Sequence, residues 1–131
     1  MIRVPSPLDA ETEEYVVEAM DCGFAVHREI GPGYGESIYE NAFCVELLAR
    51  GIPFEREKVF VVKYRDRPVG LHRLDLILRE RVVVELKAVK ALERVHEAQV
   101  LAYLKASQLP IGLLMNFGGA TLKEGFRRII R

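Results

Sequence analysis

Arg73-Leu74-Asp75-Leu76-Ile77-Leu78 and Val82-Val83-Val84-Glu85-Leu86-Lys87 are two β-forming runs separated by Arg79-Glu80-Arg81. Successive side chains of a strand point to opposite faces. In the second run, Val82, Val84 and Leu86 make one apolar face, and Val83, Glu85 and Lys87 make the other. In the first, Leu74, Leu76 and Leu78 are expected to share the apolar face, with Asp75 and Ile77 opposite. If the three charged residues form the turn, Leu78 pairs with Val82, Ile77 with Val83, and Asp75 falls opposite Glu85. Cross-strand partners share a face, so the two acids meet. A two-residue turn at Glu80-Arg81 would instead send them to opposite faces. That tighter turn favours Asn-Gly or Asp-Gly, which is absent here, so an odd-length turn is expected.

Two carboxylates side by side repel, so either one keeps a proton or a cation lies between them. Mg²⁺ suits such a pair, because it takes a few carboxylate oxygens and keeps its own waters. Lys87 points to the same side and is placed to steady a hydroxide or the charge of a phosphorane. The plain alternative is a solvated sheet face carrying a Glu85–Lys87 salt bridge.

Outward from this hairpin, residues 9–30 read as a helix, with Val16, Ala19, Met20, Gly23, Val26 and Ile30 at helical spacing. Asp9 or Thr12 caps it, and Gly31-Pro32-Gly33 ends it. A second helix spans about 36–50, with Ser37 and Glu40 at capping-box spacing and Gly51 as its stop. Phe54 to Tyr64 is a strand, and Arg65-Asp66-Arg67-Pro68 a turn before the strand at 71–78. A third helix is expected over roughly 92–107, broken before Pro110, and then a buried strand from Ile111 to Phe117. Gly118-Gly119 turns the chain into a basic tail, 122–131, read as a short strand or helix. The predicted order is α-α-β-β-β-α-β, an α/β fold with a mixed β-sheet flanked by helices.

The chain has 131 residues, half of them hydrophobic, which fits one domain over 1–131 with a core of its own. Charged residues make up 29% but balance to a net charge of zero, which argues against disorder and against coating nucleic acid by bulk charge. Cys22 and Cys44 fall in helical apolar patterns and read as buried free thiols. Met1 to Pro7 lacks an apolar signal region, and no apolar run has membrane-spanning length. A cytoplasmic setting with no membrane partner is the expectation.

Three further motifs accompany the hairpin. Gly33-Tyr34-Gly35-Glu36-Ser37-Ile38-Tyr39 places Glu36 and Tyr39 on one helix face. Gln99 and Tyr103 stand four apart on the third helix, with His96 on the same stripe. The blocks Val84–Val89, His96–Gln99 and Gly112–Gly118 give a strand-helix-strand context. Together with Asp75 and Glu85-Leu86-Lys87, these resemble the GxxExxY family of the PD-(D/E)XK nuclease superfamily, with a Gln-x-x-x-Tyr motif similar to that of RecB-like nucleases. The resemblance covers about 14–130.

It implies a restriction-endonuclease-like core and hydrolysis of phosphodiester bonds in DNA or RNA with Mg²⁺ or Mn²⁺. Glu36, Asp75 and Glu85 would be the acidic metal-site residues and Lys87 the catalytic lysine. Gln99 and Tyr103 would orient the site or touch the nucleic-acid backbone. His72 reads as structural. Candidate phosphate contacts are Arg65, Arg67, Arg79, Arg81, Lys90, Arg94, Arg127, Arg128 and Arg131, with the C-terminal arginines the densest patch. The competing reading is a nucleic-acid-binding or assembly module that keeps the fold without catalysis, and the small size and zero net charge suggest a partner or a homodimer.

Overall fold

The computed structural model describes residues 6–131, so most of the segment read for a signal region lies outside the described residues. Three helices and five strands follow one another as α1 (Ala10–Ile30), α2 (Glu36–Arg50), β1 (Phe54–Tyr64), β2 (Arg67–Leu78), β3 (Val82–Lys87), α3 (Arg94–Ser107), β4 (Ile111–Asn116) and β5 (Phe126–Ile130). A single 3₁₀ turn, Lys123–Gly125, precedes β5.

Capping explains where the helices begin and end. The Asp9 side chain accepts the Thr12 N–H at 2.8 Å, and Gly31 at φ 67 stops α1. The expected Ser37–Glu40 capping box does not form. Gly35 is the N-cap without a side-chain bond, and Glu40 instead turns inward to receive Arg56 at 2.7 Å. α3 starts at Arg94 rather than 92, because Glu93 and His96 cap it reciprocally: the Glu93 N–H donates to His96 Nδ1 at 2.9 Å. His96 is therefore a capping residue.

The strands form one sheet in the order β1-β2-β3-β4-β5, antiparallel except for the parallel β3–β4 pair. A parallel pair needs a long crossover, which α3 supplies. α1 and α2 cover one face of the sheet over a core that includes Val16, Tyr39, Phe43, Leu76, Val84, Leu86 and Met115. α3 covers the other face over Leu74, Ile77, Val83, Tyr103 and Leu104. The basic tail resolves as a strand. Phe126 packs toward the α1–α2 core and Ile129 toward α3, a two-residue alternation that a helix would not give.

The turn after β2 has the odd length expected. Leu78 pairs with Val82, Ile77 with Val83 and Leu76 with Val84, around Arg79 and Glu80 at positive φ. Regular pairing then stops one residue short of Asp75 and Glu85. The β1–β2 ladder breaks at the same height: Arg56 pairs with Leu76 and Lys58 with Leu74, while Glu57 and Asp75 between them are unpaired and Glu57 has φ 52.

This break corrects one expectation. Leu74 does not share a face with Leu76 and Leu78; it packs with Ile77 and Tyr103 on the α3 side, because the strand turns over at Asp75. Beyond the break, β1 and β2 continue as a two-stranded arm that β3 does not reach. The arm ends in a tight turn at Arg65 and Asp66, both at positive φ, so β2 already begins at Arg67. Pro68 is tolerated there, beside a bulge at Val62/Lys63.

Candidate active site

Where the backbone ladder stops, side chains take over its hydrogen bonds. The Asp75 N–H donates to Glu85 Oε1 at 3.4 Å, and the Leu86 N–H donates to Asp75 Oδ2 at 2.9 Å. The two acids thus face each other across the position that the register count assigned to them. Glu85 is 3% exposed on a strand that is otherwise apolar up to Lys87. Its carboxyl is held well above the usual carboxylate range, first by burial and then by the charge of Asp75; the Lys87 ammonium pulls the other way. A buried acid facing a second carboxylate keeps a proton or draws a cation.

α3 closes the site from one side. Tyr103 is 6% exposed, and its hydroxyl is pushed up by burial and by the neighbouring Glu85 charge, while a hydrogen bond from Gln99 opposes that shift. Asp75, Glu85, Lys87 and Tyr103 thus lie together, with the exposed Gln99 beside Tyr103. His72 stands edge-on to the Tyr103 ring at 4.8 Å and is half-buried.

The α2 side differs. Glu36 is exposed in the first turn of α2, and among the described residues no group of three His, Cys, Asp or Glu side chains is arranged to hold a metal. The acid that senses the pair is Glu40, one turn further on. It is buried, raised first by that burial and partly by Asp75, and its carboxylate is held by Arg56, which also reaches Asn41. Glu40 follows the same helical spacing as the core positions Phe43, Cys44 and Leu47, and that spacing was the available signal for it.

A second residue escaped the sequence reading. Asn116, paired in register with Lys87, lies 4% exposed at the end of the apolar strand β4. It accepts the Val89 N–H and donates to the Val89 carbonyl, both at 2.9 Å, and also accepts the Gly118 N–H at 3.1 Å. The Phe117 N–H donates to the Lys87 carbonyl at 2.8 Å. The chain leaving Lys87 is clamped by a side chain that imitates a strand. Gly118 is needed here, because a Cβ would stand 2.2 Å from the Val89 oxygen.

The expected C-terminal phosphate patch is largely committed elsewhere. Arg128 pairs with Glu13, and Arg127 and Arg131 donate to backbone carbonyls. Arg79 is bound to Glu18, and Arg81 lies 3.4 Å from Glu11. Cys22 and Cys44 are buried free thiols, as expected. Among the described residues no helix is long and apolar enough to cross a membrane.

No curated protein and no solved structure matches the chain. A family model does, that of the PD-(D/E)XK nuclease superfamily, over residues 13–129, from the first turn of α1 to the penultimate residue of β5. Acid on β2, acid and lysine one residue apart on β3, and a mixed sheet between helices agree with that match, and the chain belongs to the PD-(D/E)XK nuclease superfamily.

Proposed function

We propose that this chain is a divalent-metal-dependent nuclease in which Asp75 and Glu85 hold Mg²⁺ or Mn²⁺ and Lys87 is the catalytic cation. The observation that carries the reading is the buried Glu85 carboxyl facing the half-buried Asp75 at the break in the ladder. Leaving both acids ionised there without a counter-charge is costly, and a hard cation that keeps several waters fits two carboxylates without a third. When bound, the metal supplies an acidified water and a counter-charge for the scissile phosphate.

The protein's own groups do the rest. Lys87 ends β3 on the side of Glu85, where its ammonium offsets charge building on the phosphate. Tyr103 stays protonated and holds the Glu85 carboxyl in place, and Gln99 acts on Tyr103. Glu40, fixed by Arg56, adds a third negative group near Asp75, and Glu36 is one turn earlier on the same helix, exposed. The GxxExxY placement and the role of Glu36 rest on the Gly33–Tyr39 motif. A second copy of the chain is the expected partner, and Ile38, Val45 and Leu48 give it an exposed apolar stripe on α2. Sedimentation velocity that showed a monomer throughout the micromolar range would remove that part of the reading.

The decisive experiment is cleavage of single- and double-stranded DNA and RNA with Mg²⁺, Mn²⁺ or EDTA. Metal-dependent cleavage abolished by EDTA is expected, with Lys87→Ala lowering kcat by about 10²–10³ while substrate binding persists. A Lys87→Ala protein that cuts as fast as the parent, or calorimetry showing no Mg²⁺ or Mn²⁺ binding, would overturn the assignment and favour a non-catalytic module.

A further inference from the structure

We propose that the groove between the β1–β2 arm and α3 is a track for a single strand of nucleic acid, with Lys63 and Lys105 holding its phosphates. The inference rests on the nuclease reading for what lies at the inner end of the track.

The groove encloses about 620 Å³. Val62, Lys63 and His72 line it from the arm, and Ala102, Lys105 and Ala106 from α3. No carboxylate lies in its walls. Its neighbours have a different character: the hollows toward the other end of the sheet both carry Glu55 and Glu80, which repel a phosphate. Lys63 and Lys105 are exposed and, among the described residues, form no ion pair, whereas Arg50, Arg56, Arg79, Arg81 and Arg128 are all committed to carboxylates. The arm repeats this bias: Lys58 is held by Glu55, but Lys63, Arg65, Arg67 and Arg73 stand against the single acid Asp66. In a chain of zero net charge, that concentration is local.

The groove also has a direction. His72 lies in its wall and stands against Tyr103, which borders Glu85. A backbone gripped by the two lysines is therefore led past an aromatic pair to the acid site. Ala102 and Ala106 keep the helical wall low, so a sugar-phosphate chain can approach closely. A cationic groove that tracks a backbone is the general form of a single-strand site, and the half-buried His72 is the ring its wall offers to a base. The walls are one two-stranded ribbon and one helix that meet over Phe60 and the Tyr103–Leu104 cluster.

The test is fluorescence anisotropy in EDTA, so that nothing is cut, with labelled single-stranded DNA and RNA of about 16 nucleotides and the matching duplexes. Lys63→Glu combined with Lys105→Glu is compared with Lys123→Glu, an exposed lysine on the 3₁₀ turn. The expected result is single-strand binding that the double variant weakens about tenfold or more and Lys123→Glu leaves unchanged. The slope of log affinity against log salt should fall by about 1.4 for two lost phosphate contacts. Binding by the double variant equal to the parent, binding of duplex alone, or no binding at all would each overturn the track. Metal-dependent cleavage with an unchanged KM in the double variant would sink the groove and leave the nuclease standing. Single-strand binding that depends on the two lysines, in a protein that cuts nothing, would do the reverse.

Discussion

Glu85 carries the sharpest consequences at the scale of the residue. Folding raises its pKa above the ordinary 4.5, through burial and the Asp75 charge, so the folded state prefers the protonated form. Its stabilising contribution is full below that ordinary value and is lost as pH rises through the neutral range toward the raised one. The metal-free protein is therefore expected to show a falling Tm from pH 5 to pH 8. Glu85→Gln should flatten that decline without removing it, since Glu40 is raised in the same sense. Added Mg²⁺ should restore Tm in the parent and do less in the variant. A parent whose Tm rises steadily over this range would contradict the account. Cys22 offers a simpler check. Burial pushes its thiol up to about 11, so native protein should resist a thiol-specific disulfide reagent at pH 8 and react fully once unfolded. Asp75, Glu85 and Lys87 were legible because strand parity is a counting rule. Glu40 was not, because a buried acid at core spacing declares itself only through its partner, and Arg56 lies sixteen residues away.

At the scale of elements, the exit from β3 is where a small change should cost most. Asn116→Leu keeps the volume but strands the Val89 N–H and carbonyl, which predicts a loss of about 2–4 kcal/mol in denaturant unfolding. Gly118→Ala should cost about 1–3 kcal/mol, because the backbone of Val89 must move to admit a methyl group. If either variant unfolds at the parent's midpoint, the clamp is not what holds Lys87. The sequence showed every helix and the first four strands, because period and glycine stops are local signals. It left the tail open and placed Leu74 on the wrong face. Both come from tertiary effects: the tail resolves as a strand because β4 offers it an edge, and Leu74 turns over because pairing fails at Asp75.

At the scale of the whole molecule, zero net charge conceals a division of labour. Arg50, Arg56, Arg79 and Arg128 are held in pairs with carboxylates, while on the arm Lys58 is paired with Glu55 and Lys63, Arg65, Arg67 and Arg73 form no ion pair among the described residues. Composition alone excluded coating by bulk charge, but it could not reveal this separation, since strand pairing decides which charges are carried away from the core. The arm is also far more exposed than the centre of the sheet, where every residue of β4 is buried. Its amides should exchange with deuterium well before those of β3 and β4, and mass spectrometry can read the order. The gap in the ladder gives that mobility a mechanical meaning. Every covalent path between the arm and the rest of the protein runs through Glu57 or Asp75, the two residues left unpaired. They act as the fulcrum of a lever, so a force applied at the tip arrives first at the carboxylate that faces Glu85.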